Sequence, residues 1–135
     1  MRVLLAEDNP TNVELFLAAL ETDGHEVVVE RDGVSARDRA LHERFDVIIL
    51  DIQMPRLDGN AVCVELRAAG NRGPILALSA AAMPEDLARG KASGFDDYLP
   101  KPILPAVLRA AIRRHDPDAA SRGSAAPSGD PPRTE

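Results

Sequence analysis

Three short and unbroken apolar runs constrain the fold of this chain more than any other feature. They are Val3-Leu4-Leu5-Ala6, Val47-Ile48-Ile49-Leu50 and Ile75-Leu76-Ala77-Leu78. Such runs are typical of parallel strands that are covered on both faces, because a strand with one wet face would alternate apolar and polar residues. Two weaker segments extend the series. Residues 25–30 carry acids and are typical of an edge strand, and residues 97–99 form a brief fifth strand.

Amphipathic helical segments alternate with these strands. In the first of them Val13, Phe16 and Leu20 share one face, and Pro10 suits the first helical position. The predicted helices span residues 10–22, 34–44, 59–69, 84–92 and 103–114. This alternation predicts an α/β fold of the (βα)5 type, with a doubly wound five-stranded parallel sheet in the flavodoxin-like order 2-1-3-4-5.

The apolar pattern stops at residue 115. Residues 116–135 contain no Val, Ile, Leu, Met or aromatic side chain, so they cannot offset an ordering entropy of about 1–2 kcal/mol per residue. We therefore predict one domain over 1–115 and a disordered tail over 116–135. A chain of this length leaves no room for a DNA-binding or enzymatic output domain, so we expect a stand-alone domain.

Charge and apolar content narrow the classes of partner. The 22 Asp and Glu residues exceed the 16 Lys and Arg residues by six, which argues against direct nucleic-acid binding. No uncharged apolar run approaches the roughly 20 residues of a membrane helix, so no membrane attachment is expected.

The chain turns acidic at Glu7, too early for a signal peptide, and its single Cys63 cannot form an internal disulfide. We expect a cytoplasmic location.

Reactive side chains follow four of the predicted strands. Parallel strands bring their carboxyl ends to one edge of the sheet, where ligands of open α/β folds bind. The residues at that edge are Glu7 and Asp8 after strand one, Asp51 after strand three, Ser79 after strand four and Lys101 after strand five. For Asp8 alone, capping of the first helix by Asp8 or by Asn9 is an equally good interpretation.

Electrostatics favours a site over a set of unrelated caps. If Glu7, Asp8 and Asp51 converge to about 5 Å, each ionised pair repels by roughly 3 kcal/mol at an effective dielectric near 20. Lys101 alone would not relieve this repulsion. Either one carboxyl group keeps its proton at a raised pKa, or a divalent cation with hard oxygen ligands, Mg²⁺, occupies the site.

With a cation bound, the remaining groups take complementary roles in phosphoryl transfer. Asp51 is the candidate nucleophile, and Lys101 and the Ser79 hydroxyl would stabilise phosphoryl oxygens. The sequence has neither the GxxxxGK[ST] nor the GxGxxG phosphate loop, and no GxSxG motif. An aspartyl phosphatase of the haloacid-dehalogenase type would need a second Asp two residues after Asp51, where this chain has Gln53.

Residues 1 to about 114 resemble the receiver domain of two-component response regulators. The resemblance is carried jointly by Leu5-Ala6-Glu7-Asp8-Asn9-Pro10, Leu50-Asp51-Ile52-Gln53-Met54-Pro55 with Asp58-Gly59, Leu78-Ser79-Ala80, and Tyr98-Leu99-Pro100-Lys101-Pro102. It implies that a phosphohistidine donor phosphorylates Asp51. It also implies Mg²⁺ held by Asp8, Asp51 and the backbone carbonyl of Gln53, with Glu7 reaching the metal largely through water.

The resemblance further implies a switch. Ser79 occupies the position that is more often Thr and keeps the hydroxyl group, which phosphorylation would draw toward Asp51 while Tyr98 turns into the space left. Helix four, strand five and helix five, about residues 84–112, would then form the output face and a possible homodimer interface. The resemblance implies a cis Lys101–Pro102 bond. It also implies that the positions of Gln53 and Ala81 gate the water that attacks the phosphorylated state.

We therefore expect a single-domain response regulator that receives its phosphoryl group from a histidine kinase or a histidine phosphotransfer protein and signals by contact with a downstream protein. It would be no enzyme beyond its own phosphorylation and dephosphorylation. A phosphorelay shuttle, a phosphate sink and a metal-dependent small-molecule phosphatase are the alternatives.

Kinase docking is expected near Asn12, Leu15 and residues 102–104. The histidines, His25, His42 and His115, have no metal-triad spacing, and Cys63 is expected to be a packing residue.

Overall fold

The computed structural model describes residues 1–116, in which five strands alternate with five helices. In chain order they are β1 Arg2–Ala6, α1 Pro10–Thr22, β2 Glu26–Glu30, α2 Gly33–His42, β3 Val47–Asp51, α3 Gly59–Ala68, β4 Ile75–Ser79, α4 Pro84–Ser93, β5 Asp97–Pro100 and α5 Pro105–Arg114. The predicted tail lies outside the described residues, apart from Asp116, which is buried at the end of α5.

The strands form one parallel sheet in the order β2-β1-β3-β4-β5, which confirms the predicted topology. β2 lies at one edge, as its acidic composition predicted. In the register, Ala6 pairs with Leu50, Asp51 with Leu78, and Ser79 with Pro100. All the carboxyl ends therefore meet at one edge.

Helices cover both faces of the sheet, which explains why its central strands are apolar throughout. Successive strand residues point to opposite faces. Val3 and Ile49 pack with α1 and α5 on one face, whereas Leu4, Ile48 and Leu50 pack with α2 and α3 on the other. Full burial of each such aliphatic side chain contributes about 1.5–3 kcal/mol.

Two predicted helix boundaries were wrong by two residues. Helix α5 begins at Pro105 rather than 103, because a residue before proline disfavours the helical region and Leu104 is extended, with φ −73° and ψ 143°. Helix α2 ends at His42 rather than 44, because Glu43 is extended and its carboxylate pairs with Arg2 and Arg39.

In residues 1–116, no helix is both long enough and apolar enough to span a bilayer.

Candidate functional site

The backbone brings the predicted site residues to the carboxyl edge of the sheet. Glu7 and Asp8 directly follow β1, Asp51 and Ser79 are the last residues of β3 and β4, and Lys101 directly follows β5. Main-chain hydrogen bonds continue the ladders beyond the strand ends: the Lys101 N–H donates to the Ser79 carbonyl at 2.7 Å. The central sheet therefore fixes the backbone positions of the site residues.

Three carboxylates converge at this edge. Oxygen atoms of Glu7, Asp8 and Asp51 lie within 4.8 Å of one another. Glu7 is 0 % and Asp51 3 % exposed, whereas Asp8 is exposed. Asn9, rather than Asp8, caps α1, because its Oδ1 accepts from the Asn12 N–H at 3.1 Å. Asp8 is thus not used as the cap of α1.

Lys101 is the cation that faces the two buried carboxylates. Its Nζ lies 2.7 Å from Asp51 Oδ2 and 2.9 Å from Glu7 Oε1. Only the contact with Asp51 has hydrogen-bond geometry. Glu7 Oε1 is fully buried and lacks a hydrogen bond of good geometry. The Lys101–Pro102 peptide bond is cis, as the resemblance implied.

The titration of Asp51 reflects this environment. The pKa of Asp51 is raised to about 6, above all by burial; the neighbouring charge of Glu7 adds to the rise, and the hydrogen bond from Lys101 opposes it. Burial alone would lower the pKa of Lys101, but its contacts with Asp51 and Glu7 outweigh burial and raise it. Burial, with a smaller contribution from the charge of Glu7, therefore disfavours ionisation of Asp51 in the metal-free receiver.

The donor set fits a hard divalent cation. Three carboxylates offer oxygen atoms at mutual distances within 4.8 Å, and the buried Glu7 Oε1, although 2.9 Å from Lys101 Nζ, receives no hydrogen bond of good geometry. No other group of three or more His, Cys, Asp or Glu side chains with suitable spacing occurs in the described residues. The Gln53 N–H donates to Asp51 Oδ1 at 3.1 Å. The role of the Gln53 carbonyl as a ligand stays a prediction.

Ser79 and Tyr98 are connected through one peptide segment. The fully buried Ser79 Oγ accepts a hydrogen bond from the Ala81 N–H at 3.0 Å, and the Tyr98 hydroxyl donates to the Ala81 carbonyl at 2.7 Å. The Tyr98 ring is half-buried and lies beside Gly90. Sequence reasoning paired Ser79 with Tyr98 but missed Ala81 as the link, because its backbone, not its side chain, makes both bonds.

The family model of the response regulator receiver domain matches residues 3–113. The chain belongs to the response regulator receiver family. Response regulator MprA of Mycobacterium leprae is 40 % identical to this receiver over 129 residues, which is 93 % of this chain and 57 % of the relative. The chain spans about half the length of such curated relatives.

Solved receiver structures share the fold. The receiver domain of sensor histidine kinase PA1611 from Pseudomonas aeruginosa PAO1 has a TM-score of 0.78 and 38 % identity, over 84 % of this chain and 95 % of that one. Its active-site cleft holds a coordinated magnesium ion. Chemotaxis response regulator CheY4 of Vibrio cholerae has a TM-score of 0.79 and 32 % identity, over 85 % of this chain and 98 % of that one.

Other reactive side chains of this receiver lie away from the site. Cys63 is fully buried in the core, and burial raises the pKa of its thiol to about 11, in agreement with a packing role. His25 contacts the terminal amine, His42 the Asp38 carbonyl and His115 the Asp97 carboxylate, on separate parts of the surface.

Proposed function

We propose that this receiver accepts a phosphoryl group on Asp51 from a phosphohistidine of a histidine kinase or a histidine phosphotransfer protein. The observation that carries the proposal is the setting of the Asp51 carboxylate. It is nearly buried at the ligand-binding edge of the sheet, with an ammonium group at 2.7 Å and two further carboxylates near by. At pH 7, above a pKa of about 6, most Asp51 side chains are ionised and nucleophilic.

Mg²⁺ is the cation we propose for the site, held by Asp8, Asp51, the Gln53 carbonyl and, largely through water, Glu7. When bound, it would neutralise charge on the phosphoryl oxygens. The three converging carboxylates and the magnesium ion in the PA1611 receiver support this assignment.

The chain's own residues hold the nucleophile and receive the transferred group. Lys101 binds Asp51 Oδ2 and the Gln53 N–H binds Oδ1, so both oxygens are fixed and the carboxylate cannot rotate freely. In the transfer, an Asp51 oxygen forms the new P–O bond as the P–N bond breaks, and the imidazole nitrogen leaves with the electron pair. Lys101 and the Ser79 hydroxyl then donate to the phosphoryl oxygens.

The link through Ala81 supports a route by which the modification is signalled. A Ser79 hydroxyl drawn toward the phosphoryl group moves the Ala81 N–H that it accepts from, and Ala81 in turn holds the Tyr98 hydroxyl. The surface of α4, β5 and α5, residues 84–112, then carries the change to a downstream protein or to a second copy in a homodimer. No nucleic acid or membrane is involved in this account, and we place the protein in the cytoplasm.

In this account the receiver is not an enzyme, since the only phosphoryl group it transfers and hydrolyses is its own. A phosphorelay intermediate is the second candidate, favoured by the likeness to a receiver that is part of a sensor histidine kinase. In that case phosphorylated Asp51 returns its phosphoryl group to a second histidine protein.

Incubation with a ³²P-labelled phosphohistidine protein and Mg²⁺ tests the proposal. We expect label to appear on this receiver and to be absent in EDTA and in Asp51→Asn. Reappearance of label on a second histidine protein would identify a relay. Steady hydrolysis of acetyl phosphate that survives in Asp51→Asn, with no labelled receiver, would contradict the proposal and favour a metal-dependent phosphatase.

Exposed apolar side chains beside the site support the expected docking surface for the histidine partner. Leu104 is 67 % exposed at the start of α5, and Leu15 and Val107 project from α1 and α5, which pack together. Leu104 is the N-cap of α5 and lacks a capping side chain, so Leu104→Asp adds charge to the surface without a cost to the helix.

We expect Leu104→Asp to slow transfer from the histidine protein by about tenfold or more, because an interface loses an apolar contact and gains a charge. Phosphorylation by acetyl phosphate, which needs no docking, should keep the wild-type rate. Val64→Asp, at an exposed position of α3, is the matched control and should be silent in both assays. An equal loss of rate with the histidine protein and with acetyl phosphate would show that Leu104→Asp damages the site rather than docking.

A further inference from the structure

The loop after Asp51, residues 52–58, is held by the first turn of α2. We call it the acceptor loop. The Gly33 N–H, at the start of α2, donates to the Pro55 carbonyl of this loop at 3.2 Å. A Cβ atom at Gly33 would lie 1.8 Å from the Leu57 carbonyl oxygen, whereas real Cβ contacts essentially never fall below 3.0 Å. Any side chain at position 33 therefore forces the helix and the loop apart until this Cβ–oxygen distance reaches about 3.0 Å.

The acceptor loop is bent at this contact into a turn that its own sequence does not favour. The Leu57 N–H donates to the same Pro55 carbonyl at 2.8 Å, which closes a three-residue turn around Arg56. Arg56 has φ 71°, the value of the rare and strained γ-turn. Strain of this kind persists only where surrounding structure holds it. The exposed Arg56 lies 3.5 Å from Asp32 Oδ2, which is too weak a contact to do so alone.

The other end of the acceptor loop leads directly to the nucleophile. The Gly59 N–H donates to the Ile52 carbonyl at 2.8 Å, and a Cβ atom at Gly59 would lie 2.5 Å from the Asp51 carbonyl oxygen. Between these anchors, the Gln53 N–H donates to Asp51 Oδ1. A shift of Leu57 is therefore transmitted along the few residues between it and Gln53, whose N–H binds the Asp51 carboxylate.

We propose that Gly33 is a positioning residue for the site: its missing side chain lets α2 hold the acceptor loop in the turn that keeps Gln53 at Asp51. Gly33 touches neither Asp51 nor the carboxylate cluster and acts through Pro55 and Leu57. Its effect on phosphoryl transfer rests on the proposed function, but its effect on the Gln53–Asp51 hydrogen bond does not.

The first readout is the amide resonance of Gln53 in ¹⁵N-labelled protein, without metal or phosphoryl donor. We expect Gly33→Ala to shift it strongly, while the Ala81 amide, which binds Ser79 across the site, stays near its wild-type position. Gly73→Ala is the matched control, since a Cβ there meets only Asn71 Oδ1 at an ordinary 3.5 Å. An unmoved Gln53 resonance in folded Gly33→Ala would overturn the proposal, whatever the outcome of the phosphorylation assays.

The second readout is the rate of phosphorylation by acetyl phosphate per folded molecule, at a temperature well below the melting transition. A displacement of about 1 Å can cost a factor of 10² in rate, so we expect Gly33→Ala to be about 10–100-fold slower than Gly73→Ala. A merely structural role would lower the melting temperature and leave this rate unchanged, which would also overturn the proposal. Failure of the wild type to react would instead refute the proposed function, leaving the Gln53 resonance to decide on Gly33.

A gentler variant covers the case in which Gly33→Ala does not fold. Asp32 caps α2 by accepting from the Ser35 N–H at 2.7 Å, so Asp32→Ala loosens the first turn without inserting an atom. We expect the Gln53 resonance to shift in the same direction by a smaller amount, and an unchanged resonance would count against the proposal.

Discussion

Replacing Lys101 with alanine will lower the free energy of unfolding of the metal-free receiver by about 3–5 kcal/mol at pH 7.5. The reason is that Lys101 Nζ is the ammonium group that faces Glu7 and Asp51, both almost completely buried. Removing one partner of a buried ion pair leaves the other charges uncompensated, which costs far more than loss of a surface pair.

Urea denaturation in EDTA measures this effect. Lys91→Ala is the matched control, because Lys91 is the other lysine of the chain and is exposed on α4; it should change stability by less than about 0.5 kcal/mol. The deficit of Lys101→Ala should shrink at pH 5, below the pKa of about 6 of Asp51, because Asp51 is then largely protonated. Equal stability of the two alanine variants would show that the carboxylates are not held by Lys101.

Replacing Asp51 with asparagine will have the opposite sign and stabilise the metal-free receiver by about 2–3 kcal/mol at pH 7.5. Burial raises the pKa of Asp51 from 3.8 to about 6, so the folded state resists its ionisation. A raised pKa means that the associated stability is fully present below pH 3.8 and is lost as the pH rises through 6. Asparagine does not titrate and avoids this loss.

The pH dependence distinguishes this cause from a general gain in packing. We expect the advantage of Asp51→Asn to be full above pH 7 and to vanish near pH 4, where wild-type Asp51 is protonated. Glu14→Gln removes an exposed carboxylate of α1 and should give no comparable gain. Mg²⁺ should raise the melting temperature of the wild type more than that of the variant. A variant less stable than the wild type in EDTA at pH 7.5 would contradict the electrostatic account.

The sheet and the site were predictable because both depend on patterns local to the strands. Unbroken apolar runs such as Val47–Leu50 identify strands that are buried on both faces, and parallel strands must deliver Asp51 and Ser79 to one edge. The convergence of Glu7, Asp8 and Asp51 followed from topology, and the structure places their oxygens close to the distance assumed.

Features set by backbone contacts were not predictable in the same way. Neither Asp32-Gly33 nor Arg56 signals in sequence that the acceptor loop meets α2, because the contact joins segments more than 20 residues apart. Burial of Glu7 and the double role of Ala81 also depend on atoms whose positions only the folded chain fixes. The end of α2 was missed because an ion-pair cluster holds Glu43 outside the helix. The start of α5 was missed because Pro105 keeps Leu104 extended.

Intact mass spectrometry after incubation with acetyl phosphate and Mg²⁺, followed by peptide mapping, tests directly whether Asp51 is the phosphoryl acceptor. We expect the wild type to gain one phosphoryl group on Asp51, and Asp51→Asn and the wild type in EDTA to gain none. A folded, Mg²⁺-binding wild type that gains no phosphoryl group, or an Asp51→Asn variant that gains it equally, would contradict the account.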